Sequence, residues 1–182
     1  MLRVTHDSAV PDELTFWSFV DYAVDKAVRE MPSVDAEAMR LVLTLHRATS
    51  MLVYDLESSV HRPSGWTWPG FRVLFVLWLA GPMEAKVAAE LSGMSRAAVS
   101  ALLNTLEKDG LVSRRRAEHD RRAVNVSLTP DGRDAIARGF GAHNARESAW
   151  ASALSAAERR TLVDLLGKLM EGSAAAEAKR RT

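Results

Sequence analysis

The stretch that decides the fold spans residues 84–128 and reads EAKVAAELSGMSRAAVSALLNTLEKDGLVSRRRAEHDRRAVNVSL. Its first part has a short helical run, the turn Ser92-Gly93-Met94 and a second helical run from Ser95 to Asp109. Two short stretches typical of strands follow, joined by a charged tip. The order helix, turn, helix, strand, strand predicts a winged helix-turn-helix.

Three positions fit the spacing of a helix-turn-helix: Ala89, Gly93 and Val99. A small residue at 89 lets the two helices approach each other, and glycine permits the positive backbone angle that a tight turn often needs. Val99 is expected to pack the second helix back on the first. This spacing is only moderately specific, because ordinary helical hairpins also match it.

The second helix is expected to begin after Ser95, a good N-cap, and to bury Val99, Leu102, Leu103 and Leu106. Its opposite face is small and polar, which suits a helix that must approach base edges in the major groove. The candidate DNA-binding residues on this helix are Ser95, Arg96, Ala97, Ser100 and Asn104. The alternative is an ordinary solvated helix face.

Positive charge is concentrated in residues 114–122, where five arginines stand against Glu118 and Asp120. This local net charge of +3 leaves −2 for the rest of the chain. Phosphate binding depends on such placement, and an arginine at a wing tip suits the minor groove. The candidates here are Arg114, Arg116, Asp120, Arg121 and Arg122, with Asp120 orienting an arginine. A solvated charged turn is the alternative.

Helices are predicted on both sides of this unit, and each has a recognisable boundary signal. A first helix from Asp12 is ended by Pro32, and a second, capped by Ser33 or Asp35, runs to about His61. The other expected helices are 70–79, a long one from Thr129 to about Ala153 that its glycines weaken, and one from the capping box at Ser155 to Gly172.

These outer helices are broadly apolar, and the first and the last two would expose much of that surface in a monomer. We therefore expect a homodimer built from both ends of the chain, the alternative being that they pack within one subunit. The fold class is mainly α with a small β-hairpin wing (α+β). The predicted division is an N-terminal extension (1–34), a dimerisation region (35–68 and 129–172), a DNA-binding lobe (69–128) and a frayed tail (173–182).

The composition excludes several other classes of protein. The chain of 182 residues has a net charge of +1 and no cysteine, which removes disulfides and thiolate metal sites. It shows no leader-like start and no apolar run long enough to cross a bilayer, so a cytoplasmic protein is expected. Enzyme motifs are absent, and the histidines lack metal-ligand spacing, so we expect no catalysis, cofactor or metal.

The motif Leu106-Glu107-Lys108-Asp109-Gly110-Leu111-Val112, then Asp120-Arg121-Arg122, then the run Val126 to Gly132 resembles the MarR family of bacterial regulators. The resemblance covers roughly residues 35–171 and is specific mainly between 85 and 133. It implies an obligate dimer that binds a palindromic operator in double-stranded DNA, usually as a repressor. Asp120 and Arg122 match the family's Asp-x-Arg wing motif, which places an arginine in the minor groove.

The resemblance also implies an effector, often a small phenolic or other aromatic molecule, held between the dimer helices and the DNA-binding lobe. The candidate ligand-binding residues are His46, Trp66, Trp68, Phe71, Arg72 and Phe75. Aromatic walls with one cation suit an aromatic carboxylate. In the alternative interpretation Trp66 and Phe75 belong to the core and Arg72 to an ion pair.

The sequence departs from the family's usual pattern at several positions. Many relatives carry basic residues where this chain has Ala101 and Thr105. We therefore expect DNA binding to depend mainly on Arg96 and the wing. Arg72 stands where the urate-responsive branch has an aspartate. The predicted function is a homodimeric DNA-binding regulator; a winged-helix module that binds protein is the alternative, distinguished by whether binding weakens steeply with salt.

Overall fold

The computed structural model describes residues 14–116 and 124–181, which contain eight α-helices and three β-strands. The chain divides into two compact units, Met1–Leu52 and Val53–Thr182. The elements are α1 (Phe19–Glu30), α2 (Ala36–Leu56), α3 (Trp68–Ala80), β1 (Met83–Glu84), α4 (Ala85–Ser92), α5 (Arg96–Lys108), β2 (Val112–Arg116), β3 (Val124–Leu128), α6 (Pro130–Ala151), α7 (Ala156–Glu171) and α8 (Ser173–Arg181).

The first helix begins later than the sequence predicts, at Phe19 rather than near Asp12. Ser18 Oγ accepts a hydrogen bond from Thr15 N at 3.0 Å, and Thr15 Oγ1 accepts one from Ser18 N at 3.2 Å. These local bonds give the backbone an alternative to helix and form a turn ahead of α1. The helix ends at Glu30, just before Pro32, as predicted.

The second helix is capped by Asp35, whose Oδ1 accepts from Ala38 N at 2.9 Å. Helical structure continues past α2 through a π-helical turn, Glu57–His61, and a 3-10 turn, Arg62–Ser64. The predicted end near His61 is therefore confirmed, with a change of helix type in its last turn. Such π-helical turns are frequent at functional sites.

The centre of the second unit is α3, which is apolar on nearly all sides. It contacts α4, α5, α6 and β3, as expected for a helix without a polar face. It begins at Trp68, two residues before the predicted start, because Thr67 Oγ1 accepts from Gly70 N at 3.2 Å and Glu57 Oε2 accepts from Trp68 N at 3.1 Å. The buried core comprises Trp66, Phe71, Val73, Leu74, Leu77, Ala89, Val99, Leu103, Leu106, Val112, Val126 and Ile136.

The sheet has three antiparallel strands in the order β1-β3-β2, one more than the predicted hairpin. Met83 pairs with Val126 and Glu84 with Asn125, so β1 covers the outer edge of β3. Strand β1 was not predicted, because two residues after Gly81-Pro82 are too few to show an alternating pattern. On the other side, β2 and β3 pair from Val112↔Leu128 to Arg116↔Val124.

The long helix α6 begins at Pro130 after the Thr129 cap, as predicted, and ends at Ala151. Its glycines were expected only to weaken it, but two of them permit close packing. A Cβ at Gly132 would lie 1.9 Å from the carbonyl oxygen of Leu111, and one at Gly139 would lie 2.7 Å from the Trp66 ring. The backbone of α6 therefore sits directly against Leu111, the residue before β2, and against Trp66.

The last two helices follow one another closely. The predicted capping box is confirmed: Ser155 Oγ accepts from Glu158 N, and Glu158 Oε2 accepts from Ser155 N at 2.8 Å. The tail from Ser173 was predicted to fray, but it forms α8. Alanine is the best helix former, and cations near a helix C-terminus interact favourably with its dipole, which explains this helix.

Candidate nucleic-acid interface

The turn between α4 and α5 has the geometry that its sequence predicts. Ala89 and Val99 are each 1% exposed, and Gly93 has φ +62° in the left-handed region. Met94 N donates to Ala89 O at 3.0 Å, which closes the turn. The three predicted positions therefore hold α4 and α5 together as a helix-turn-helix.

Helix α5 begins where Ser95 caps it, since Ser95 Oγ accepts from Ala98 N at 3.2 Å. Val99, Leu103 and Leu106 are buried and Leu102 is half-buried, so one side of the helix packs on the core. The other side is exposed, and it contains every candidate DNA-binding residue of this helix. We call this set the reading face: Ser95, Arg96, Ala97, Ser100 and Asn104.

The base of the wing is held by an ion pair between α5 and β2. Arg114 Nε donates to Glu107 Oε2 at 2.8 Å, and Arg114 N donates to Glu107 Oε1 at 3.1 Å. This hydrogen bonding from Arg114 lowers the pKa of the Glu107 carboxyl below its usual range. Arg114, expected to bind DNA, is thus engaged with Glu107 and fixes the strand that leads into the wing.

The remaining wing candidates lie further along the hairpin. Arg116 is the last residue of β2, and Arg115 before it is exposed. Asp120, Arg121 and Arg122 fall within residues 117–123, outside the described residues. Their expected role at the tip therefore remains a prediction from the sequence.

Arg72 binds the backbone at the end of α4, a contact that the sequence does not predict. From α3, its Nη2 donates to the carbonyl oxygen of Ser92 and, at 3.3 Å, to that of Gly93. These carbonyls lie at the end of α4, where a helix leaves its last acceptors without internal partners. Arg72 therefore ties α3 to the helix-turn-helix by hydrogen bonds to backbone, rather than by an ion pair with an acidic side chain.

The other candidate ligand-binding residues separate into distinct places. Trp66 is buried and packs over Gly139 of α6. Trp68, Phe71 and Phe75 form consecutive ring contacts, with centroids 5.9 and 5.5 Å apart. His46 is exposed on α2 and belongs to the first of the two units.

Two buried histidines join this aromatic group, and sequence reasoning missed both. His61 is 0% exposed and lies 4.3 Å from the Phe71 ring, while His143 of α6 lies 4.4 Å from it on centroids. Among the described residues, both ring nitrogens of His61 and Nδ1 of His143 have no hydrogen-bond partner; His143 Nε2 lies 3.0 Å from Glu147 Oε1. We call His61, Trp68, Phe71, Phe75 and His143 the histidine–aromatic cluster.

Burial keeps His61 neutral. Loss of hydration is the main cause that lowers its pKa to about 4, and the neighbouring His143 acts in the same direction, while Glu57 opposes them. A buried polar group without a partner is destabilising, so this histidine needs an explanation beyond packing. Its position between α3 and α6 was hidden from the sequence because its partners are far away along the chain.

Two acids, Glu57 and Asp55, bind the helices that carry this cluster. Glu57 accepts from Trp68 N, and this bond, followed by those from Arg62, lowers the pKa of its carboxyl. Asp55 accepts from Arg146 Nε at 2.5 Å and from Trp150 Nε1 at 2.7 Å, and these bonds lower the Asp55 pKa as well. The end of α2 is thereby fixed to α6.

The part of the chain that the structure describes shows no group of three or more histidine, aspartate or glutamate side chains able to hold a metal ion. None of its helices is long and apolar enough to cross a membrane.

Together the buried turn, the exposed reading face and the sheet beside it define a winged helix-turn-helix protein. Comparison with known proteins agrees: the model of the MarR family matches residues 66–124. The HTH-type transcriptional regulator YwaE of Bacillus subtilis is 31% identical over 146 residues, which cover 79% of this chain and 85% of YwaE. The chain belongs to the MarR family of DNA-binding transcriptional regulators, a family of regulators rather than enzymes.

Two solved structures of regulators are similar to this chain. The transcriptional repressor CouR, bound to a 23-mer DNA duplex, is 30% identical, with a TM-score of 0.64 over 69% of this chain and 89% of CouR. BpsR of Bordetella bronchiseptica, whose DNA binding is regulated by 6-hydroxynicotinic acid, is 25% identical. Its TM-score is 0.66 over 71% of this chain and 98% of BpsR.

Proposed function

We propose that this chain is a homodimeric repressor that acts in the cytoplasm on a palindromic operator. In this proposal α5 enters the major groove, and an arginine of the wing, Arg122, enters the adjacent minor groove. The observation that carries the proposal is the reading face, which is exposed, small and polar on a helix whose other side is buried. The DNA-bound structure of the repressor CouR supports it.

The proposed assignment of regions to dimerisation and to DNA binding follows from where apolar side chains are exposed. In the first unit Phe16, Trp17, Leu41, Val42 and Leu45 are exposed. In the second, α7 exposes Leu162, Val163, Leu165, Leu169 and Met170. Contiguous exposed apolar surface of this kind marks an interface. We assign residues 35–68 and 129–172 to dimerisation, 69–128 to DNA binding and 1–34 to an extension that adds to the dimer.

The operator can be found by selecting binding sites from random duplex DNA and measuring affinity in a shift assay. We expect a palindrome whose half-sites are about one helical turn apart, roughly 10 base pairs. Arg122→Ala should weaken binding to it strongly, because the substitution removes the arginine expected in the minor groove. Wild-type affinity in the Arg122→Ala protein would refute that role.

The same proposal includes release from DNA by a small aromatic acid. It is supported by the histidine–aromatic cluster, whose unpartnered ring nitrogens offer hydrogen bonds to a phenol or carboxylate, and by the effector of BpsR. A panel of hydroxylated aromatic acids, including 6-hydroxynicotinic acid, should raise the melting temperature and release the operator. A ligand at 100 times its Kd stabilises by about 2.7 kcal/mol, which a thermal scan detects. A panel without effect on either readout removes this part of the proposal.

A further inference from the structure

Two histidines of the histidine–aromatic cluster lie side by side in the interior, and we call them the histidine pair: His61 and His143. Their ring centroids are 5.2 Å apart, and the two residues are 0% and 3% exposed. Among the described residues, three of the four ring nitrogens have no hydrogen-bond partner. Buried polar groups without partners cost stability, so packing does not account for two such rings in one place.

The surroundings of the histidine pair suit neutral rings and not charged ones. Phe71 lies 4.3 Å from His61 and 4.4 Å from His143, and Trp68 lies 5.5 and 6.1 Å from them, measured between ring centroids. A neutral imidazole packs against such rings. An imidazolium loses its hydration there, and a second proton would place two like charges next to each other.

The charged groups around the histidine pair are mostly engaged elsewhere. On the elements packed against it, the charged residues within a helical turn of the pair are Asp55, Glu57, Arg62, Arg72, Arg146 and Glu147. The two acids at the end of α2 accept hydrogen bonds from Trp68 N and from arginines. Glu147 is exposed and reaches one ring, at Nε2 of His143. Since no described acid accepts a hydrogen bond from His61, a proton there gains no ion pair at hydrogen-bond distance.

The histidine pair lies where three helical elements meet. His61 ends the π-helical turn Glu57–His61, His143 belongs to α6, and Phe71, which both rings contact, belongs to α3. Each of these elements contacts the other two. The next residue of α3, Arg72, donates to the carbonyl oxygens at the end of α4. A shift of α3 at the pair therefore reaches the helix-turn-helix within one residue.

We propose that the histidine pair is an acid-sensitive switch for DNA binding. When the pair takes up protons, the π-helical turn separates from α3 and α6, α3 shifts, and the helix-turn-helix loses the position in which it binds the operator. This inference rests on the proposed function, since it requires that the chain bind an operator. It adds the proton as a second signal beside the proposed aromatic acid.

Linkage determines the direction of the effect. Burial lowers the pKa of His61 to about 4, whereas a histidine that becomes exposed recovers the ordinary pKa of about 6.5. DNA affinity is therefore complete above pH 6.5 and is lost as the pH falls from 6.5 towards 4, by up to about tenfold per histidine and pH unit. Protonation elsewhere adds positive charge, which favours binding to phosphates, so a loss of affinity in acid has the opposite sign to the effect of net charge.

The test uses the full-length chain and the operator selected from random DNA at about pH 7.5. Affinity is measured at about pH 7.5 and about pH 5.5 at one ionic strength, with circular dichroism at both pH values to follow folding. We expect the folded wild type to lose about tenfold or more of its affinity at the lower pH. Operator binding there should release protons, which appears as a dependence of the binding heat on the ionisation heat of the buffer.

Matched phenylalanine variants assign the effect to the histidine pair. His61→Phe and His143→Phe each keep a ring in place and remove one titrating group, so each should lose less affinity between the two pH values than the wild type does. His46→Phe removes an exposed histidine of α2 and should keep the wild-type ratio of affinities. Melting temperatures at about pH 7.5 check folding. If one pair variant does not fold, the other variant and the proton release of the wild type decide.

A wild-type affinity that stays the same or rises at the lower pH overturns the inference and leaves the proposed function standing. The inference is also overturned if affinity is lost only together with the folded circular dichroism signal, or if every folded pair variant loses as much affinity as the wild type. A wild-type chain that enriches no sequence at about pH 7.5 refutes the proposed function, and the inference with it.

Discussion

Arg72 joins the centre of the second unit to the DNA-binding helices. Its guanidinium donates to the carbonyl oxygens of Ser92 and Gly93, at the end of α4. A cation at that place satisfies acceptors that the helix leaves unpaired and interacts favourably with its dipole. The sequence pointed to an effector contact or an ion pair. The effector contact stays a prediction, and the observed bonds go to backbone oxygens.

Replacing Arg72 by Gln should destabilise the fold and weaken DNA binding together. Hydrogen bonds to charged groups contribute about 1.5–3 kcal/mol, so we expect a loss of roughly that size in urea denaturation. Arg133→Gln, at an exposed position of α6, is the control. Unchanged stability, combined with lost binding of an aromatic acid, would assign Arg72 to the effector instead.

His61 should make stability depend on pH. Its folded pKa of about 4 lies below the ordinary 6.5, so the unfolded chain binds the proton more readily. The contribution of His61 to the free energy of unfolding is complete above pH 6.5. It is lost as the pH falls from 6.5 towards 4, at up to about 1 kcal/mol per pH unit.

The check on His61 is the free energy of unfolding measured from pH 7 to 4.5 for the wild type and for His61→Phe. The substitution keeps a ring against Phe71 but removes the titrating group, so the curve should flatten. His46→Phe, at an exposed position, should keep the wild-type slope. Parallel curves for the wild type and His61→Phe would show that burial of this histidine does not set the pH dependence.

The start of α6 is placed by a glycine. At Gly132 an added Cβ would lie 1.9 Å from the backbone oxygen of Leu111, and backbone cannot rotate away as a long side chain can. Gly132→Ala should therefore cost roughly 1–3 kcal/mol, the range for overpacking. Gly141→Ala, in the same helix with nothing within 4 Å, should instead stabilise by about 0.5–1 kcal/mol.

Denaturant titration of both glycine variants decides the point. Opposite signs for Gly132→Ala and Gly141→Ala are the expected result. Two stabilised variants would mean that α6 moves away from Leu111 without penalty, and that its close approach to the wing is not required by the fold.

The elements predicted from sequence are those with local signals. Ser95, Thr129 and the capping box at Ser155 each mark a helix start, and the structure has those starts. The shift at α1 arose from bonds between Thr15 and Ser18 that periodicity does not show. Short or distant features were also missed: β1 has only two residues, and α8 was mistaken for a frayed end.

The candidate site likewise contains features that local sequence signals predict and features that they do not. The reading face follows from helical spacing around Ser95 and Val99, so its exposure could be predicted. The pairing of Glu107 with Arg114, the Arg72 bonds and the contact between His61 and His143 depend on tertiary packing. No pattern within one helix predicts them, because each joins two elements.

Exposed apolar surface is the feature of the chain as a whole that most requires a partner. On α7, Val163 is 67% and Met170 73% exposed, far more than a core-facing position would be. Val163→Glu should place a charge in the proposed dimer contact and shift the protein towards monomer, whereas Lys168→Gln should not. Sedimentation at micromolar concentration measures the mass. A wild-type protein that is monomeric there would contradict the dimer.

The central claim is that the reading face of α5 recognises a DNA sequence. Its most direct test is binding-site selection from random duplex DNA with the wild type and with Arg96→Ala and Asn104→Ala. We predict one enriched palindrome for the wild type, and a base preference lost at one position of each half-site in the variants, at about 1–3 kcal/mol. No enriched sequence, or one that both variants select with unchanged preference and affinity, would contradict the claim.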